Sequence, residues 1–501
     1  MGADADVVWI RPTDHPIPSS RPVAVPSAVG TSSAPGCAQR ERTMATRPAP
    51  DLRLCKLYYF TTAMGLACLL PFLPLIYERY GLSRAHIGLM GAIRPLLGTL
   101  ANPFWSYVCD RTQRHNAIHF LCLVVQVVGY SNLQKVPRAF ASLYAWVATT
   151  EAFAACTGTL ADAAVGLMCK RWNAANGVSE SDVHRAASYG RQRLWGAVSW
   201  GFIAAPAMGA VMSYSSEGVK RNAPFVGYFT FLMLGAILSW FLQHDPVEAK
   251  TVNEVVVAKE GVELAVLDGE KAMSRIASAE ELHAPSTPKS IHAQLWEVVG
   301  RVDIALRFFG FFVSGASMAI TDVFLFIWLQ ENGSNAAVMG VALFFTCITE
   351  VLIFYNSSWI RKKLSLDWSL ILTPYCYFFR QFYYSEMFNI WKSAWWVLPV
   401  QLLHGITFGL YWSTANQFVQ QIAPRGLTTS MMGIFSGVNN SGAFIGAVCG
   451  GMVYDKFGGD WLFRGIALIN LFMGVTFTIL KVYVDKPRET VAYVRLENNV
   501  V

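Results

Sequence analysis

The residues of this chain with the greatest chemical potential are charged groups inside apolar runs: Arg94, Glu151, Asp162, Asp322, Glu350 and His404. Ionisable groups are costly in such surroundings, so each is a functional candidate until a structural partner is found for it. Glu151 and Asp162 stand eleven positions apart. On a continuous helix that is three turns plus about 20°, which puts both on one face. Ala155 and Gly158 lie between them, and an acidic stripe with small neighbours suits a water-filled path. Glu350 follows Thr346 by one turn, and Asp322 sits deep in AITDVFLFIWLQ. His404 opens a stripe with Thr407, Tyr411 and Thr414. Carboxylates away from water and a histidine can hold and release protons near neutral pH, as a proton-coupled carrier requires. The competing reading is structural: the acids pair with Arg94, Arg380 or Arg464 as bridges, and Asp162 is interfacial.

Asn439 and Asn440 place polar groups in another apolar run and are candidates to face a central cavity. Beyond them, Gly442, Gly446 and Gly450 recur every fourth residue, a ridge that lets helices approach closely. Enzyme signatures are missing: there is no HExxH, GxSxG, Walker loop or GxGxxG. No cofactor is expected, and without a nucleotide site primary active transport within this chain is not expected. The ten cysteines show no metal-ligand spacing and read as buried, inert thiols.

The elements that must position these residues are helices. The 501 residues are 53% hydrophobic and only 15% charged. The apolar residues come in blocks of roughly 20, the length a hydrocarbon slab about 30 Å thick demands of a helix. With no water to satisfy backbone amides inside lipid, such blocks must be helical. The expected class is all-α integral membrane, with about twelve transmembrane helices in two six-helix bundles. The expected spans are 53–77, 84–108, 117–134, 138–168, 188–213 and 223–243, then 304–330, 335–356, 368–387, 391–422, 429–454 and 461–484. Residues 1–52, rich in Pro, Ser and Ala, read as a disordered tail without a signal peptide, with Met44 as a second candidate start. The bundles are then 53–243 and 304–484, joined by a polar linker, 244–303, and followed by a tail, 485–501. The linker ends in an amphipathic stretch expected to run along the membrane into the seventh span.

Clusters of Lys and Arg mark one side: Arg111 and Arg114; Lys170, Arg171, Arg185, Arg191 and Arg193; Arg361, Lys362 and Lys363. The positive-inside rule puts these loops, the linker and both termini in the cytoplasm, although Lys220 and Arg221 fall on the other side. The formal net charge of +7 is explained by this bias rather than by nucleic-acid binding. Two six-span halves are the layout of carriers built from repeats.

The segment NPFWSYVCDRTQRH after the second block resembles the loop motif of the major facilitator superfamily, with Asp110, Arg111 and Arg114 matching and Ser106 in place of the family's glycine. In that family the motif acts as a gating latch of charges rather than a substrate site. YGRQRLWGAVSWGF, LLHGITFGLYWSTANQFVQQIAP and GIFSGVNNSGAFIGAVCGGMVYDKFG are similar to the branch that includes domain-containing protein 6, related to the lactose permease and nucleoside–proton symporter group. The resemblance covers about residues 53–484. It implies the major facilitator fold, and Glu350 matches an acidic position of the branch.

The function expected from both lines is secondary active transport of a small solute by alternating access, coupled to protons as a symport. The partners are then the solute, protons and the lipid bilayer, with the chain as a monomer. Proton or substrate roles fall to Glu350, Glu151, His404, Asp322, Asp162, Arg94, Tyr411, Asn439 and Asn440. The alternative is a receptor or scaffold on a transporter fold, which would need no continuous polar path. A lipid-moving facilitator is a third reading and would need a lateral opening.

Overall fold

The computed structural model describes residues 50–178, 185–244, 291–424 and 427–484. The expected tails, most of the linker and Met44 lie outside these residues. All regular structure among the described residues is helical. The first set of helices comprises α1 Leu52–Leu69, α2 Leu73–Arg79, α3 Arg84–Thr112, α4 His115–Ser131, α5 Phe140–Ala154, α6 Thr157–Ala175, α7 Tyr189–Ala197, α8 Ala205–Tyr214 and α9 Glu217–Ser239. The second comprises α10 Ile291–Val299, α11 Val302–Glu331, α12 Ala336–Lys363, α13 Leu366–Ile390, α14 Val397–Gln401, α15 Tyr411–Ile422, α16 Thr428–Phe457 and α17 Gly459–Ile479. Helix covers every apolar block read from the sequence. Among the described residues 7 helical segments are individually long and apolar enough to cross a membrane.

Their outer surface fits lipid rather than water. On α17, Leu468, Phe472, Val475 and Ile479 are all exposed at helical spacing. A soluble protein rarely leaves such an apolar face uncovered. The linker's end forms α10, which a turn at Gly300 and Arg301 separates from α11, so it does not run straight into the next helix. Its Leu295, Val298 and Val299 pack beside Ile304 and Phe308 while Trp296 stays exposed.

Several expected continuous helices are interrupted, each by a local hydrogen-bond change. The Thr157 hydroxyl donates to the Ala154 carbonyl at 2.8 Å, at the junction that separates α5 from α6. Such side-chain bonds compete with the helical ladder. Between α7 and α8, residues Val198–Ala204 form a wider π-helical turn. Pro206 follows and lacks the amide that would bond back to the preceding turn. A second π-helical segment, Gly405–Leu410, precedes α15, where the Gly405 amide donates to Thr349 Oγ1 on α12 at 3.2 Å. π segments of this kind are frequent at functional sites.

The two sets of helices meet closely at one end. A Cβ on Gly88 of α3 would strike the backbone of Ala447 and Gly451 on α16. Gly209 of α8 and Gly340 of α12 press on each other's neighbouring backbone in the same way. Ser213 at the end of α8 accepts the Ala337 amide of α12 at 2.8 Å. One apolar core runs through this end and includes residues of both sets, among them Phe72, Phe326 and Met339. Further along the helices a Cβ on Gly98, Gly433 or Gly437 would meet no neighbouring atom.

The glycine ridge packs within the second set. Gly442, Gly446 and Gly450 lie on Phe312, Ala316 and Ile320 of α11, a matching row at the same four-residue spacing. Because a Cβ at Gly442 would overlap the Phe312 carbonyl, Gly442→Val should destabilise the purified protein by about 1–3 kcal/mol. Gly437→Ala, which meets open space, should leave it unchanged. Thermal unfolding in detergent separates the two, and equal loss in both would refute this reading of the ridge.

Candidate functional site

Four of the charged groups, Arg94, Glu151, Asp322 and Arg380, lie at a common depth. Arg94 is ten residues into α3 from the closed end and Asp322 nine residues before the closed end of α11. At about 1.5 Å per residue both sit roughly 15 Å below that end, near the middle of a hydrocarbon slab. Glu151 on α5 and Arg380 on α13 share this level, and Glu350 on α12 lies one to two turns deeper.

Arg94 and Glu151 form an ion pair. Arg94 Nη2 donates to Glu151 Oε1 at 2.7 Å, and its Nε reaches Oε2 at 3.4 Å. The Tyr130 hydroxyl donates to the same Oε1. The Glu151 side chain is only 5% exposed, whereas that of Arg94 is 52% exposed. Tyr130 and Tyr228 of its own helix set and Asp322 of the other lie within electrostatic reach of Arg94.

Asp162 belongs to a different cluster. Its Oδ1 accepts from the Tyr59 hydroxyl at 2.7 Å, and Arg193 Nη1 lies 3.4 Å from Oδ2 and donates to the Tyr189 hydroxyl at 2.7 Å. The two carboxylates of the expected acidic stripe have different partners. The junction between α5 and α6 separates Glu151 from Asp162, and each carboxylate is held by its own arginine.

In the second set Arg380 organises the site. It is 4% exposed, and its Nε donates to Tyr384 at 2.7 Å, its Nη2 to Gln401 at 2.8 Å and its Nη1 to Thr407 at 3.1 Å. Nη1 also lies 3.1 Å from His404 Nδ1. A guanidinium only donates, so Nδ1 accepts and a neutral His404 carries its hydrogen on Nε2. That Nε2 faces Glu350 Oε2 at 4.0 Å. Glu350, His404 and Arg380 thus form one chain from α12 to α13, built around the π-helical segment at 405–410. Arg193 of the first set lies within electrostatic reach of Glu350.

Asp322 differs from the others. Its carboxylate is exposed, and it makes no ion pair or hydrogen bond among the described residues. The charges of Arg380 and Arg94 both reach it.

Tyr411 and Asn439 do not join this level. The Tyr411 hydroxyl donates to Asn439 Oδ1 at 2.8 Å, and both are buried. The expectation that Asn439 faces a cavity is corrected, since it is buried with its Oδ1 held by Tyr411 where α15 packs on α16. Asn440 bridges the two sets by donating to Thr99 Oγ1 of α3 at 3.2 Å. At the open end Asp110 is exposed and meets His115 Nε2 at 3.5 Å. Arg111 and Arg114 are exposed as well. Glu386 holds Arg464 at 2.7 Å, away from the site. The side chains of Arg361 and Lys362 lie outside the described residues.

Sequence reasoning missed the polar network at the closed end. Arg84 Nη2 lies 2.6 Å from Glu78 Oε1 and 2.5 Å from Glu331 Oε1. Tyr454 donates to Glu331 Oε2 at 2.5 Å, Gln330 to Glu78 Oε2 at 3.2 Å, and the Arg84 amide to Asp455 Oδ1 at 3.1 Å. These groups tie α2 and α3 to α11 and α16. Near helix ends such residues look like ordinary interfacial charges, and their only signal is that Glu78 and Arg84 flank a very short turn. Arg380 was visible as a lone arginine in an apolar run, but only as a possible bridge.

The sequence profile of the MFS_1 like family matches residues 52–465. The uncharacterized transporter YwbF of Bacillus subtilis (strain 168) is 21% identical over 433 residues, covering 86% of this chain and 93% of that protein. The major facilitator superfamily domain-containing protein 6-like of Mus musculus is 30% identical over 169 residues, which is 34% of this chain and 28% of that protein. Among solved structures, the nucleoside transporter NupG superposes with a TM-score of 0.64 at 13% identity, covering 87% of this chain and 100% of that one. The peptide transporter POT in complex with sulfate gives a TM-score of 0.62 at 12% identity, covering 88% and 98%. These structures are alike in fold, and the multi-pass membrane architecture follows from the family and the apolar helices together.

Removing Arg94 leaves the buried Glu151 carboxylate uncompensated. With Glu151 buried but Arg94 half-exposed, Arg94→Gln should destabilise the protein by about 1–3 kcal/mol, less than for a fully buried pair. The double variant Arg94→Gln/Glu151→Gln should recover most of that loss in thermal unfolding. A double variant no more stable than the single one would show that the pair is not the reason.

Proposed function

The chain belongs to the MFS_1 like family, and from that premise we propose that it is a secondary transporter of a small solute, working by alternating access and coupled to protons as a symporter. The observation that carries this reading is the arrangement along the bundle axis. Two sets of helices close over a shared level of charged residues at one end, while at the other end Asp110, Arg111 and Arg114 are exposed. A site at mid-depth beneath one closed end is what a carrier needs between turnovers.

Residues 53–243 and 304–484 act as two six-helix halves that rock about this level, each with its own charge cluster. The open end carries Arg111, Arg114, Lys170 and Arg171, so it faces the cytoplasm, with both termini and the linker on that side. Asp110, Arg111 and Arg114 are then a latch that is disengaged in this conformation. The network around Arg84 and Glu331 is the engaged latch at the opposite face.

Glu350 carries the proton. It is the deepest carboxylate of the site, with His404 at 4.0 Å as its partner, and Arg380 fixes the tautomer that turns His404 Nε2 toward it. Protonation removes the charge of Glu350 and changes its attraction to Arg193 on the other half. Proton and solute thereby bias the same opening equilibrium, and that shared bias is the coupling. The claim is tested in proteoliposomes given an imposed pH gradient and a pool of small polar metabolites. Uptake should rise with the gradient, and Glu350→Gln should lose gradient-driven accumulation while keeping exchange of solute across the membrane. Uptake indifferent to the gradient, or a variant that still accumulates solute, would reject proton symport.

A further inference from the structure

The charges at mid-depth divide into those already satisfied and those still available. Glu151 is spent on Arg94 and Tyr130, and nearer the other end Asp162 is spent on Tyr59 and Arg193. Arg380 uses Nε, Nη1 and Nη2 on Tyr384, Thr407, His404 and Gln401 and is buried. Two groups remain. The Asp322 carboxylate is exposed and without an ion pair among the described residues. Arg94 offers the half of its guanidinium that Glu151 does not use, since only Nε and Nη2 are engaged and the side chain is 52% exposed.

These two groups have opposite sign and stand on opposite helix sets at the same depth. They lie within electrostatic reach of each other but do not form an ion pair. Directly toward the closed end from them, Gly91 of α3 meets the side chain of Val323, the neighbour of Asp322. The open charges therefore sit immediately beneath the contact that seals the bundle. A solute there must satisfy a carboxylate on one side and a guanidinium on the other, because an ionised group removed from water needs a partner. A purely anionic solute leaves Asp322 unopposed and adds to the charge of Glu350. A purely cationic one faces Arg94 with nothing to offer it.

We propose that the transported solute is a small zwitterion whose ammonium binds Asp322 and whose carboxylate, or an equivalent anion, binds the free side of Arg94. This rests on the transporter reading above and divides the site in two: Asp322 and Arg94 take the solute, and Glu350 with His404 takes the proton. Because the two solute contacts come from different helix sets, the bound zwitterion draws the sets together at the level of the site. Its release on either side requires only one of the contacts to break first.

The test is binding by the purified full chain, followed by thermal unfolding. The probes are 4-aminobutanoate, 5-aminolevulinate and 6-aminohexanoate, each beside its methyl ester, which is a cation, and its deaminated acid, which is an anion. At least one zwitterion should raise the unfolding temperature, while its ester and deaminated acid at tenfold higher concentration should not. Asp322→Asn should unfold at the same temperature as the unaltered chain without ligand, and should bind that zwitterion at least tenfold more weakly. Failure of all three zwitterions, equal stabilisation by an ester or a deaminated acid, or an unaffected Asp322→Asn overturns the proposal. Uptake of the same probes into proteoliposomes separates it from the transporter reading. A zwitterion that binds but is never taken up rejects transport and keeps the ligand class. A cation or anion that is taken up in its place rejects the ligand class and keeps transport.

Discussion

Every charge that this chain carries into its apolar helices has to be answered by another group inside the protein. Lipid offers no water to do it, and an unanswered ion in such surroundings costs several kcal/mol. That constraint explains why Arg94 lies on Glu151, why Arg193 lies on Asp162, and why Arg380 is ringed by donors and acceptors on α13, α14 and the π-helical turn. It also sets the register of the helices that bear these groups. A slip of one residue on α3 or α5 would turn Arg94 or Glu151 by about 100° and strand both. The exceptions to the constraint are informative for the same reason. Asp322 is exposed and unanswered, and Glu350 is answered only by a histidine at 4.0 Å.

Much of the fold was legible because the bilayer leaves so few choices. Blocks of apolar residues long enough to span must be helical, and each expected block is helical in the structure. The polar turns between blocks were legible from the same pattern. What was not legible depends on single hydrogen bonds that composition does not register. Thr157 bonding Ala154 marks a junction where one long helix was expected, and the two carboxylates on either side of it have different partners. Thr349 capturing the Gly405 amide accompanies the wider turn before α15, and the stripe from His404 to Thr414 no longer points one way. Thr407 then serves Arg380, while Tyr411 serves Asn439.

The site was legible as a set of residue types but not as a set of pairs. Arg94 and Glu151 are 57 positions apart, and Arg84 and Glu331 are 247 apart. No local rule links such residues. The latch at the closed end was missed because its members sit near helix ends, where charges are ordinary. Its importance comes only from joining helices that are distant in the chain. The glycine ridge on α16 lies between these cases, since its spacing announced close packing while the structure identified α11 as its partner and placed Gly88 and Gly451 at the contact between the two helix sets.

The central claim is that the closed and open ends exchange roles. The most direct measurement is the distribution of distances between spin labels in the chain reconstituted in lipid, with one pair at each end. Labels at Arg79 and Ser334 report the closed end, and labels at Arg111 and Lys363 report the open end. The account expects two populations at each end, shifting in opposite directions when pH is lowered, so that one end widens as the other narrows. A single unchanged distance at both ends, or both ends widening together, would contradict it.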